Sequence, residues 1–194
     1  MKNVNKARFA KEKIMAKNDN AHSIRLIDSL RRNVGNNEAN EFEELYPLSK
    51  SASIEKKFQW AKNACDYLEE HFDTDTIINL RKECRCNDGK SIASKILKYW
   101  NKSNSVEQFV NAFNENETFA SLEYVSDNTI LFCYPQCYCP CIKRVPGEVS
   151  RTRCYCTVGN AEGIFREVFK KDIKVTLLES IKTGGEKCVI EVKW

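Results

Sequence analysis

Apolar residues recur three and four positions apart through the first two thirds of the chain, a period that predicts helices. Between Ser53 and Phe72 they fall at Ile54, Phe58, Ala61, Cys65, Leu68 and Phe72, the buried stripe of one long helix. Ser53 supplies an N-cap hydroxyl, and Glu55 sits in the first turn, where the helix dipole favours a carboxylate. Ahead of it, Ile24, Ile27, Leu30 and Val34 mark an amphipathic helix over 23–34, ended by Gly35-Asn36-Asn37. After it, Asp73 or Asp75 caps a short helix through Ile77, Ile78 and Leu80 toward Cys84. Asp88-Gly89 interrupts the pattern. Ile92, Ile96, Tyr99 and Trp100 then define a helix over 91–100, and Ser105 caps another through Val106, Phe109, Val110 and Phe113.

The character changes near Thr118. Residues 119–125 and 129–134 are β-rich runs around Ser126-Asp127-Asn128, which predicts a hairpin. Residues 135–156 carry cysteines, prolines and a Pro146-Gly147 turn, with few apolar residues to order them. Ile164, Phe165, Val168 and Phe169 give 161–171 a helical face. Two further strands, 172–181 and 187–194, flank Thr183-Gly184-Gly185, which reads as a hairpin loop. The expected fold class is α+β: N-terminal helices packed on a small antiparallel sheet of about four strands, with one late helix. Residues 1–52 are expected to form an N-terminal helical extension and 53–194 one cysteine-rich unit of helices and sheet.

Composition narrows the function. Of 194 residues, 42% are hydrophobic and 30% charged, enough for a core and against global disorder. The net charge of +4 is too mild to imply nucleic-acid binding. The first seventeen residues hold Lys2, Lys6, Arg8, Lys11, Lys13 and Lys17 against Glu12, and read as a solvated helical extension that packs on a second subunit. No apolar run approaches a membrane span and no signal-like apolar segment follows the basic start. A cytoplasmic protein with reduced thiols is therefore expected, and its cysteines should serve packing, metal binding or redox chemistry.

There are ten cysteines. Four pairs lie two residues apart, at 84/86, 137/139, 139/141 and 154/156, where random placement would give roughly half of one such pair. In an extended segment, i and i+2 share a face, so Cys-x-Cys aims two sulfurs one way. Three such units brought together offer six thiolates. The candidate metal ligands are Cys84, Cys86, Cys137, Cys139, Cys154 and Cys156. Zinc, which needs four N or S ligands, is the expected metal, with an iron–sulfur cluster as the alternative. Lys82, Arg85, Lys90, Lys143, Arg144, Arg151 and Arg153 surround these positions and favour thiolate over thiol. Cys65, Cys133 and Cys188 read as packing residues, and Cys141 as a spare ligand or reactive thiol. The two histidines, His22 and His71, stand apart from the clusters, so a histidine-rich zinc site is not expected.

The C-terminal part, from Phe119 to Trp194, resembles a known domain. Cys154-Tyr155-Cys156-Thr157-Val158-Gly159, Gly163-Ile164-Phe165, Val175 to Ile181, and the Gly184-Gly185-Glu186-Lys187-Cys188 turn before Val189-Ile190-Glu191-Val192 look like the 4-vinyl reductase domain. That resemblance implies the ligand-binding fold shared with heme-NO-binding sensors and Golgi-transport tethering subunits, small-molecule or metal binding, and dimerisation. The cysteine arrangement is also similar to a cysteine-rich family of anaerobic low-GC bacteria and, more distantly, to thiazoline-carboxylate hydrolases.

The resulting expectation is a cytosolic metal-binding sensor or binding module that forms a homodimer. One alternative is a thiol- or metal-dependent hydrolase or reductase, although no Ser-His-Asp set, phosphate loop or His-Glu-x-x-His motif supports it. The other is a module for a small apolar ligand or a tether, using Phe119, Phe132, Phe165, Phe169 and Trp194.

Overall fold

The helix starts are set by side-chain caps. In the computed structural model, which describes residues 18–194, Asn20, Ser53, Asp73 and Ser105 each accept from a backbone N–H two or three residues on. They open α1 (Ala21–Asn33), α3 (Ile54–His71), α4 (Thr74–Lys82) and α6 (Val106–Asn116). Gly89, in the left-handed region at φ 70°, leads into α5 (Lys90–Trp100). The basic stretch Met1–Lys17 lies outside the described residues.

One helix is absent from the sequence expectation. Gly35-Asn36-Asn37 ends α1 as expected, but the chain then turns directly into α2 (Asn36–Leu45). Gly35 makes this turn at φ 151°, and Ala39 and Phe42 then reach the core. The asparagines that read as a terminator are the first turn of α2.

The sheet comprises β1 (Ser121–Ser126), β2 (Thr129–Tyr134), β3 (Lys174–Glu179) and β4 (Cys188–Lys193), antiparallel in the order β1-β2-β4-β3. Ile130, Phe132 and Tyr134 alternate onto one face, where α5, α6 and α7 (Cys156–Phe169) cover them. Leu122, Leu177, Ile190 and Val192 complete that inner face. The architecture is α+β, with helices first, a four-stranded sheet and a late helix.

A second core lies among α1, α2, α3 and α4, around Leu26, Leu30, Phe42, Trp60, Tyr67, Leu68 and Leu80. Residues 135–156 do not lack a core, contrary to expectation, because Cys141, Ile142 and Val149 insert into this one. The amide of Val149 donates to Lys182 O at 2.8 Å, and the buried Lys182 ammonium donates to Val145 O at 2.6 Å. Three residues and one lysine thus anchor what reads as a free loop.

The third departure concerns the start of α7. The sequence reading puts it at Ala161, with Cys154-Tyr155-Cys156 extended before it. Instead Ser150 caps a 3-10 turn, Arg151–Tyr155, that continues directly into α7 at Cys156. The buried Arg81 guanidinium from α4 donates to the carbonyls of Thr152 and Arg153, at 3.3 and 3.1 Å, and holds that turn in place. Tyr155 packs against both cores, so the turn marks where they meet.

Candidate functional site: a cysteine-lined cavity

A cavity of about 330 Å³ opens at this junction. The turn after α4 brings Cys86 to it, the loop after β2 brings Cys137 and Cys139, and the 3-10 turn and first residue of α7 bring Cys154 and Cys156. Five of the six expected ligands line one space, although up to seventy residues separate them in sequence. Cys84 does not. It is buried in the second core, and its thiol donates to Leu80 O at 3.4 Å. The cause is local: Cys84 and Cys86 sit in a turn rather than a strand, so i and i+2 point to different places.

Two residues read as bystanders bear on the site, Cys188 as part of its lining and His22 through contact with one of its thiols. Cys188, the first residue of β4, lines the cavity beside its cross-strand partner Tyr134. His22, at the start of α1, places Nδ1 3.8 Å from the Cys86 sulfur. It therefore does not stand apart from the cysteines. Ile92, Phe119, Tyr134 and Leu177 form the wall facing the first core.

The thiols differ in character. Burial pushes Cys86 up to about 11 and Cys154 up to about 12, and raises Cys84 and Cys137. Cys139 goes the other way. The Cys141 thiol donates to it, and the Arg153 guanidinium lies 4.0 Å from its sulfur, so its thiolate is favoured while Cys141 keeps the proton. Burial together with Arg153, Arg25, Arg81 and Lys57 lowers His22 to about 4 and keeps it neutral. The Cys154 sulfur lies 3.1 Å from the Ser180 hydroxyl. All ten cysteines are free thiols.

As placed, no three His, Cys, Asp or Glu side chains among the described residues close on a single point that could hold one metal ion. The sulfurs stand around the space rather than at its centre. No helix among the described residues is long and apolar enough to cross a membrane.

Residues 15–193 match a family described as a family of unknown function (DUF6144). No curated protein matches the chain. Among solved structures, it is similar to an H-NOX protein from S. oneidensis in the Fe(II)NO ligation state, at 15% identity and a TM-score of 0.42, over 90% of this chain and 98% of that one. An Fe(II) unliganded H-NOX protein from K. algicida matches at 10% identity and a TM-score of 0.42, over 90% and 96%. The H-NOX protein from Shewanella woodyi in the Fe(II)CO ligation state matches at 11% identity and a TM-score of 0.40, over 89% and 92%.

Proposed function

The chain belongs to the DUF6144 family, and from the cavity just described we propose that it is a small-ligand-binding module holding a thiolate-bound metal centre. One observation carries this reading: six cysteines from separate segments, Cys86, Cys137, Cys139, Cys154, Cys156 and Cys188, line one cavity. A thiolate-ligated centre takes four such ligands, so these six are enough in number once drawn inward onto it. Because the sulfurs are spread around about 330 Å³, a metal–sulfur cluster suits them better than a lone tetrahedral zinc. A cluster distributes its thiolate ligands over several metal atoms, whereas zinc draws four sulfurs to about 2.3 Å of one point. Oxidation of the thiolates would release such a centre, which is the basis of a sensing role.

The test is metal and sulfide analysis of protein purified without oxygen, with its absorption spectrum. Iron with inorganic sulfide and absorption above 400 nm is the expected result. Stoichiometric zinc in a colourless protein would replace the cluster with zinc. A protein that holds no metal, and takes up neither zinc nor iron with sulfide, would overturn the proposal.

A further inference from the structure

Arg153 is a buried cation without a matching carboxylate. It is 3% exposed, lines the cavity and forms no ion pair among the described residues. Its Nε makes no hydrogen bond. One face of the guanidinium lies over Trp60, 5.7 Å from the ring centroid, and Nη2 reaches only the Cys139 sulfur, at 4.0 Å. The Cys139 thiolate offsets this charge at the Nη2 edge alone; the Nε edge is a buried donor with no partner, a costly arrangement that an anion in the cavity would relieve. The same side chain is fixed from behind, since Arg81 grips the carbonyls on either side of its α-carbon.

We propose, resting on the cavity as the binding site but not on its metal, that Arg153 is an anion-recognising group and that the ligand presents net negative charge to it. Two sources share this chemistry: a metal centre bearing thiolates, and a free carboxylate or oxyanion.

The experiment compares two alkylating probes on reduced, metal-free protein, with modification at Cys139 quantified by mass spectrometry. Iodoacetate is anionic and iodoacetamide neutral, so their rate ratio reads anion recognition independently of thiol reactivity. The ratio at Cys139 is expected to exceed that of a short cysteine peptide at least tenfold, to survive in Arg153→Lys and to fall to the peptide value in Arg153→Gln. A peptide-like ratio in the wild-type protein overturns the proposal, whether or not Arg153→Gln folds. So does a raised ratio that Arg153→Gln leaves unchanged, because Arg25 or Arg81 would then be the source. Suppression of iodoacetate labelling by millimolar acetate or sulfate identifies a free anion. A raised ratio that acetate and sulfate leave unchanged, and that metal lowers by slowing iodoacetate more than iodoacetamide, identifies the centre's own charge. A raised ratio in a protein that takes up no metal leaves Arg153 in this role and removes the metal centre alone.

Discussion

Gly159 of α7 lies so close to Lys82 of α4 that a β-carbon there would stand 2.0 Å from the Lys82 carbonyl oxygen. This contact sets the last turn of α4 against the first turns of α7, and so brings Cys86 and Cys156 to the same cavity. Alanine at a mid-helix glycine normally gains about 1 kcal/mol, whereas overpacking costs about 1–3 kcal/mol. Backbone cannot swing aside, so the clash wins: Gly159→Ala should lower stability by about 2 kcal/mol in urea unfolding. Gly163→Ala, one turn on, meets only the end of the Arg85 side chain and should be neutral or stabilising. Equal effects of the two substitutions would remove this account of the helix crossing.

Cys65 is packing, and its ionisation opposes folding. Burial pushes its thiol up to about 11 against about 9 unfolded. A raised acid contributes stability that is present below the unfolded value and lost as pH climbs through the folded one. Cys65→Ala should therefore cost roughly 1 kcal/mol near pH 7, and its deficit against wild type should shrink between pH 9 and 11. Denaturant midpoints across that range check it, and a constant deficit would contradict the burial argument.

Lys182 closes the loop that carries Cys137 and Cys139 to the site. Its ammonium is the donor to the carbonyls of Val145 and Gly147. Lys182→Met keeps the stem but leaves those acceptors without that donor, at a cost of about 1–3 kcal/mol. Limited proteolysis should then cut at Lys143 or Arg144 well before any cut in α3. Unchanged cleavage would mean that Cys141, Ile142 and Val149 suffice to hold the loop.

Periodic segments were legible in the sequence because a core face enforces its own period. The stripe from Ile54 to Phe72 and the alternation of Ile130, Phe132 and Tyr134 are both of this kind. Helix α2 was not legible, since Asn36-Asn37 carries a stop signal that only the packing of Ala39 and Phe42 overrides. The cysteine set was legible as a set but not member by member. Extended backbone would put Cys84 and Cys86 on one face, but the turn after α4 sends them apart. Cys188 carried a signal in the Gly-Gly-Glu-Lys-Cys turn, although it read as packing. Nothing in the sequence distinguished Arg153 from its basic neighbours, or tied His22 to a cysteine sixty-four residues away.

The most direct measurement is a cysteine footprint of the same protein with and without its metal. Neutral alkylation followed by mass spectrometry gives a rate at each thiol. At least four of Cys86, Cys137, Cys139, Cys154, Cys156 and Cys188 should slow together by at least tenfold when metal is present, while Cys65 and Cys84 keep their rates. Rates that ignore the metal, or protection that falls on Cys84 and spares the cavity thiols, would contradict the account.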